Sequence, residues 1–299
     1  MVYGYPAIAA AIENMGVDAV AIPDVTPQLT IQPWNKHIKL GTPGSHQDDE
    51  LTQAFKALLD CYGQKPPALH VNVHVTLPAG AGLGCSAAIG VAIVKAVDAA
   101  LGIQHSMSEV AEIALTWEQV FHGNPSGVDS TVASHGGMIR FAKHTPIQFL
   151  YPAMPIHLIV ALTQQTSSTK DIVATVARQH SHNPRRITSV FEGIATLVNK
   201  AAQAISAGQL EELGHCLDLN HALLSSLLLS TNELEHLCTA ARNAGALGAK
   251  LTGAGGGGAM VALAPSMDHA NVIYNALAGL SRQCFTVTIH EHGIRESTH

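Results

Sequence analysis

The stretch "LPAGAGLGCSAAI" at residues 77–89 has glycines at three alternate positions, followed by a run of helix-forming residues. Before it, residues 66–78 alternate between apolar and polar side chains, which predicts a half-buried strand. After it, residues 86–101 predict a mostly apolar, buried helix that ends at Gly102. A glycine-rich turn between a strand and a helix can hold a phosphate with its backbone amides and the helix N-terminus.

Two interpretations of this loop remain open from the residues alone. It is either a phosphate-binding loop or a tight turn whose small residues permit close packing. A Walker A loop is excluded, because the Gly-Lys-Ser/Thr sequence is absent. Gly253, Gly255 and Gly258 match the pattern GxGxxG, but they precede a predicted strand. The dinucleotide-binding motif requires a helix at that place, so this match is weak.

Length and composition indicate a globular protein of two domains, which we predict at residues 1–150 and 151–299. Hydrophobic residues make up 47% of the chain and charged residues 13%, so a disordered protein is excluded. The net charge of −6 argues against nucleic acid or an anionic membrane as a partner. Five cysteines without a CxxC pair are typical of reduced thiols, and we therefore expect a cytoplasmic protein.

The rest of the chain mixes helical and strand patterns, which predicts an α+β fold. Ser106 and Glu109 form a capping box that opens a helix running to about His122. A strand is expected near residues 155–162. Four long helices should follow, at about 170–180, 186–207, 209–228 and 230–245, and then a glycine loop that leads into a strand.

Two carboxylates in "WEQVFHGNPSGVDSTVASHGG", residues 117–137, are candidates for chemistry. Glu118 lies about one turn from the end of its helix, where the helix dipole disfavours a negative charge. It is either a solvated surface group or a ligand of a cation such as Mg²⁺. Asp129 follows a Pro-Ser-Gly turn and is either a helix cap or a catalytic group.

Three segments together carry a resemblance to a known family. "PAGAGLGCSAA", "HGNPSGVDS" and "KLTGAGGGGAMVAL" are similar, in this order, to the motifs of the GHMP small-molecule kinases, and most closely to the mevalonate kinase branch. The opening "VYGYPAIAAAI" resembles the end of the family's first motif, so the likeness runs from residue 2 to beyond residue 260. It implies a two-domain GHMP kinase fold, with a ribosomal protein S5 domain 2-like N-terminal domain and a ferredoxin-like C-terminal domain.

The resemblance implies ATP-dependent phosphorylation of mevalonate to 5-phosphomevalonate, a step of isoprenoid biosynthesis, with ATP and Mg²⁺ as cofactors. Asp129 would be the catalytic base, and Ser86 and Glu118 would hold Mg²⁺. The mevalonate pocket would include Phe121, Thr169 and Ala254. The residues implied to bind ATP are Gly80, Ala81, Gly82, Leu83, Gly84, Cys85, Ser86, Gly253, Gly255 and Gly256.

Two departures from the family pattern stand out. Cys85 replaces a serine, with little effect expected because the backbone amides remain. The sequence starts at Met1 inside the first motif, so the family's lysine, glutamate and histidine of that motif are absent. We therefore expect the chain to be less stable and less active than a version extended upstream.

Several alternatives stay open at this point. One is another GHMP kinase, of the phosphomevalonate or homoserine type, and another is a catalytically impaired binding protein of this fold. A homodimer is compatible with the sequence. Lys250, just before the last glycine loop, is expected to be solvated.

Overall fold

A computed structural model describes residues 4–41, 49–165 and 169–290. The helices and strands, in chain order, are β1 (Ala7–Ala10), β2 (Val17–Pro23), β3 (Gln28–Gln32), β4 (Lys36–Lys39), α1 (Glu50–Asp60), β5 (Leu69–Val75), α2 (Cys85–Leu101), α3 (Met107–His122), α4 (Val128–His135), β6 (Met138–Phe141), β7 (Gln148–Leu150), β8 (Ile156–Leu162), α5 (Thr169–His182), α6 (Pro184–Ala207), α7 (Leu210–Ser226), α8 (Asn232–Asn243), β9 (Gly248–Leu251), β10 (Ala259–Ala264), α9 (Met267–Ala278) and β11 (Gln283–Ile289). Both halves of the chain mix helices with strands, which confirms the α+β prediction.

The chain forms two compact units. The first unit consists of the described residues of Met1–Asn14, Ala79–Leu83 and Gly136–His299, and the second of those of Met15–Pro78 and Gly84–His135. The chain therefore passes between the units several times instead of crossing once. The division into domains at residues 1–150 and 151–299 stays a prediction.

The second unit contains a sheet with the strand order β2-β5-β3-β4, in which β3 runs parallel to β5. Along β5, Leu69, Val71, Val73 and Val75 are buried, whereas Asn72 and His74 between them are exposed. The alternation arises because successive side chains of a strand point to opposite faces. It confirms the half-buried strand predicted before the first glycine loop.

Helix α2 follows that loop and is enclosed by glycines at both ends. Gly84 is its N-cap and Gly102 its C-cap, with φ angles of 71° and 67° in the left-handed region. Most side chains between them are buried, as the sequence predicts. The predicted capping box of α3 is also confirmed: the Ser106 hydroxyl accepts from the Glu109 N–H, and the Glu109 carboxylate accepts from the Ser106 N–H.

The first unit contains a four-stranded antiparallel sheet with the order β11-β8-β10-β9. Along the chain its elements run strand, helices, two strands, helix, strand, which is the ferredoxin-like βαββαβ arrangement. Four helices, α5 to α8, stand where the simple motif has one. A second sheet of this unit has the order β1-β6-β7. Across the described ranges, no helix combines the length and apolarity that crossing a membrane requires.

Candidate functional site

The first glycine loop has a backbone suited to anions. Gly80, Gly82 and Gly84 adopt φ angles of 67°, 70° and 71°, which side chains other than glycine rarely tolerate. Left-handed residues that alternate with ordinary ones turn neighbouring N–H groups into a concave, anion-binding arrangement. Ala81 is buried, whereas Gly80 and Gly82 are exposed. The Ala81 side chain thus packs into the protein, whereas Gly80 and Gly82 face solvent.

The second glycine loop, residues 252–258, touches the first through backbone atoms. A Cβ atom on Gly253 would lie 2.9 Å from the carbonyl oxygen of Gly82, and one on Gly258 would lie 3.0 Å from that of Ala81. A Cβ would be too close at Gly253 and tight at Gly258, and both residues have positive φ angles, so glycine is favoured where these two segments, more than 170 residues apart in sequence, meet. The structure thus brings together the two loops that the sequence assigns to ATP.

Hydrogen bonds to residues outside the loop fix the backbone of the second glycine loop. The Gly258 N–H donates to the Gln165 carbonyl at 3.0 Å, and the Thr163 hydroxyl lies 3.0 Å from the Gly258 carbonyl. The Gly256 N–H donates to the Leu229 carbonyl at 2.7 Å. The Gly256 N–H is therefore already hydrogen-bonded within the protein and is not available to a nucleotide phosphate. A contact between Gly256 and ATP would have to be made by its carbonyl or Cα.

Asp129 lies beside Gly84, the last glycine of the first loop. It is the second residue of α4, and a Cβ atom on Gly84 would lie 3.4 Å from the Asp129 Cβ and 3.7 Å from its Oδ1. The side chain reaches solvent but has protein atoms closely around it, and this desolvation raises the pKa of its carboxyl. The structure therefore contradicts the helix-cap interpretation, because Asp129 lies inside the helix instead of before it.

Glu118 is buried, with only 3% of its surface exposed. Burial, and next the nearby charge of Asp129, raise its pKa to about 8, and a hydrogen bond from Ser130 offsets part of this. Its Oε2 atom has no hydrogen-bond partner among the described residues, and the same is true of the buried Ser86 hydroxyl. The solvated-surface interpretation of Glu118 is thus wrong.

Buried polar atoms are nearly always hydrogen-bonded, and Ser86 Oγ and Glu118 Oε2 are two of six in the described residues that are not. Carboxylate and hydroxyl oxygens are suitable ligands for Mg²⁺. In the described part of the chain, no group of three or more His, Cys, Asp or Glu side chains is placed to hold a metal. A cation at Ser86 and Glu118 would therefore complete its shell with phosphate oxygens and water.

The three residues predicted for the substrate pocket belong to different units. Phe121 is in α3 of the second unit, with its ring centroid 5.4 Å from that of Trp117. Thr169 is the first residue of α5, and Ala254 is in the second glycine loop, both in the first unit. All three are half-buried. Their role in binding the substrate stays a prediction.

Two lysines behave differently from what their sequence context suggests. Lys250 is half-buried, with its ammonium donating to the Leu251 carbonyl at 2.6 Å, and desolvation lowers its pKa to about 8. The expectation that Lys250 is solvated is therefore wrong. Lys95 donates to the Ser134 carbonyl at 3.1 Å, in the last turn of the helix that carries Asp129. A cation stabilises the C-terminal end of a helix. The sequence around Lys95 contains no motif that predicts its contact with Ser134.

Comparison with known protein families identifies the family to which this chain belongs. The model for the GHMP kinases N terminal domain matches residues 49–137, and that for the GHMP kinases C terminal domain matches residues 201–280. The chain belongs to the GHMP kinases. The segment matched by the N-terminal model contains the first glycine loop and Asp129, and the segment matched by the C-terminal model contains the second glycine loop.

Individual relatives of this GHMP kinase are mevalonate kinases. It is 36% identical to a mevalonate kinase of Pyrococcus horikoshii over 291 residues, covering 90% of this chain and 85% of that protein. It is also 36% identical to a mevalonate kinase of Pyrococcus furiosus over 288 residues, covering 90% and 86%. Among solved structures, it is similar to L. major mevalonate kinase in complex with R-mevalonate. The TM-score is 0.83 at 27% identity, covering 98% of this chain and 92% of that one.

Proposed function

We propose that this kinase transfers the γ-phosphoryl group of ATP to the hydroxyl group of mevalonate and forms 5-phosphomevalonate. The observation that carries the proposal is the position of Asp129 next to Gly84, which places a candidate base beside the last glycine of the proposed phosphate loop. The relatives named mevalonate kinase, one of them solved with R-mevalonate, support this acceptor. The segment "HGNPSGVD", residues 122–129, favours the same acceptor.

The ATP phosphates are assigned to residues 80–86. The alternating glycines offer N–H groups there, and the first turn of α2 adds amides that have no partner within the helix. Cys85 leaves this arrangement intact. Its thiol lies 3.9 Å from the Leu77 carbonyl, and burial raises its pKa to about 11, so it stays neutral and unreactive. Gly253 and Gly255 contribute from the second loop.

Mg²⁺ is assigned to the Ser86 hydroxyl and the Glu118 carboxylate, which fit it because both hold a buried oxygen without a partner. When bound, the ion supplies positive charge against the phosphate oxygens. The protein contributes to Mg²⁺ binding by holding the Glu118 carboxylate away from solvent. With its pKa raised to about 8, Glu118 gains more from a cation than an exposed glutamate would.

Asp129 orients the acceptor hydroxyl and takes its proton. Its raised pKa makes it a stronger base than an aspartate with the ordinary pKa, and its side chain lies next to Gly84. Phosphoryl transfer depends mostly on positioning and on charge neutralisation, which these groups can provide. Phe121, Thr169 and Ala254 are proposed to line the acceptor pocket. A cytoplasmic location and a homodimer remain predictions from the sequence.

The test is a coupled assay of ADP release over mevalonate, phosphomevalonate, homoserine and galactose, with the product identified by ³¹P NMR. We expect a phosphate monoester of mevalonate and much lower kcat/KM for the other three alcohols. Preference for another alcohol would establish the other-GHMP-kinase alternative. Binding of a non-hydrolysable ATP analogue without turnover of any alcohol would establish the binding-protein alternative.

A further inference from the structure

Strand β9 lies at the edge of its sheet and leads directly into the second glycine loop. An edge strand has outward N–H groups that no neighbouring strand can satisfy. Here helix α7 satisfies two of them: the Ala249 N–H donates to Asp218 Oδ1 at 2.9 Å, and the Leu251 N–H donates to His221 Nδ1 at 3.2 Å. Asp218 and His221 are three residues apart and so share one helix face.

His221 is the member of this pair nearer to the loop. It is 4% exposed, and its Nδ1 can accept a hydrogen bond only when the ring is neutral, with its proton on Nε2. The Nε2 atom lies 3.2 Å from Glu235 Oε1, and the Ser225 hydroxyl donates to the same carboxylate at 3.0 Å. The geometry at Nε2 falls outside that of a hydrogen bond, so this atom has no such partner among the described residues. The negative charge of Glu235 close to Nε2 still favours a proton there, which is the tautomer that the contact with Leu251 requires.

We propose that His221 is a positioning residue for ATP, which fixes the end of β9 and thereby the glycine loop at residues 252–258. The inference rests on the proposed function, in which this loop contacts the phosphates. Its physical basis is the close packing of the second glycine loop against the first. A Cβ atom on Gly253 would lie 2.9 Å from the Gly82 carbonyl oxygen, so movement at Leu251, two residues earlier, would disturb the contact between the loops.

Several charged groups face His221. Glu235 and Arg242 come from α8, Lys250 from β9, and Asp218 from its own helix. Burial lowers the pKa of His221 most, Arg242 and Lys250 lower it further, and Glu235 opposes them. The ring is thus neutral at neutral pH. Below its pKa, Nδ1 is protonated and the acceptor for the Leu251 N–H is lost.

The test compares two substitutions of nearly the same shape, His221→Leu and His221→Asn. Leucine has no acceptor, whereas the Oδ1 of asparagine can take the place of Nδ1. We expect the leucine variant to raise the KM for ATP about tenfold, with a smaller change in kcat, and asparagine to restore it to within about threefold. The matched control is His157→Asn, since His157 pairs with Ala264, at the other end of β10 from the loop. The control should leave the KM for ATP unchanged.

The proposal is overturned if leucine leaves the KM for ATP unchanged, or if asparagine is as damaging as leucine. Because leucine could prevent folding, the pH dependence is measured as a second test. As pH falls through the lowered pKa of His221, the KM for ATP should rise more steeply in the wild type than in the asparagine variant. Parallel profiles would also overturn the proposal. Direct titration with a non-hydrolysable ATP analogue gives the same comparison if mevalonate is not the acceptor, so the two proposals can fail separately.

Discussion

Gly84 lies next to Asp129: a Cβ atom on Gly84 would lie 3.4 Å from the Asp129 Cβ. Gly84 is both the last glycine of the phosphate loop and the N-cap of α2, at a φ angle of 71°. Asp129 is therefore packed beside the last glycine of the loop, within the second unit. A side chain added at position 84 would be in van der Waals contact with Asp129 and would strain the backbone at this φ angle.

Gly84→Ala should lower kcat about tenfold or more, because a backbone shift that relieves the left-handed strain at position 84 would change the position of the loop next to Asp129. Gly102→Ala is a matched control, since Gly102 ends the same helix at a φ of 67° and a Cβ there meets nothing within 4 Å. Both variants should lose roughly 1–2 kcal/mol of unfolding free energy from left-handed strain. Urea unfolding and steady-state kinetics measure the two effects. Equal losses of kcat would show that the proximity of Gly84 to Asp129 is unimportant.

Asp129→Asn keeps the shape of the side chain but removes its charge and basicity. We expect kcat to fall by roughly 10²-fold or more, with the affinity for ATP little changed. Asp268→Asn is the control, because Asp268 is likewise the second residue of a helix, α9, and is exposed. Kinetics and calorimetric titration with ATP give both quantities. Near-normal turnover by Asp129→Asn would remove Asp129 from the mechanism.

Glu118→Gln and Ser86→Ala should each raise the Mg²⁺ concentration needed for half-maximal activity, since each weakens one oxygen ligand. Glu118 should matter more because it brings a full negative charge. Glu112→Gln provides the control, as Glu112 is exposed on the same helix. Activity is titrated with Mg²⁺ at fixed ATP. Identical titrations for Glu118→Gln and Glu112→Gln would contradict the metal assignment.

The buried carboxyl of Glu118 also predicts how stability depends on pH without metal. Its pKa rises from 4.5 in the unfolded chain to about 8 in the folded one, so the folded state binds the extra proton. This contribution is complete below pH 4.5 and is lost as pH rises towards 8. The thermal midpoint of the wild type in EDTA should therefore fall relative to that of Glu118→Gln between these values. Parallel curves would mean that Glu118 is not desolvated.

Gly248→Ala should destabilise the first unit strongly, because a Cβ atom there would overlap the Gly214 carbonyl oxygen. The backbones of β9 and α7 touch at this point, and over-packing of this kind costs typically 1–3 kcal/mol or more. Gly279→Ala is the control, since a Cβ at Gly279 meets nothing within 4 Å and its φ is −82°. Urea unfolding compares the two. A neutral Gly248→Ala would show that the strand can move away from the helix.

Local patterns were sufficient for much of the fold. The alternation in β5, the glycine turn and the apolar run of α2 predicted a strand, a loop and a helix, and all three lie where expected. The capping box of Ser106 and Glu109 likewise predicted the start of α3. These features depend on residues within a few positions of one another, so they can be predicted from the local sequence. Lys250 shows the limit: its position on a strand end gave no sign of the burial that lowers its pKa.

By itself, then, the sequence determined the periodic elements, the turn glycines and the motifs that resemble a kinase. Only the tertiary structure decided that Gly253 packs against Gly82, that Glu118 has a buried oxygen without a partner, and that His221 holds Leu251. Each of these depends on groups at least 30 residues apart in the chain, or on the burial of one side chain by several elements. Such contacts follow from how elements pack and exclude water, which no local pattern of residue types encodes.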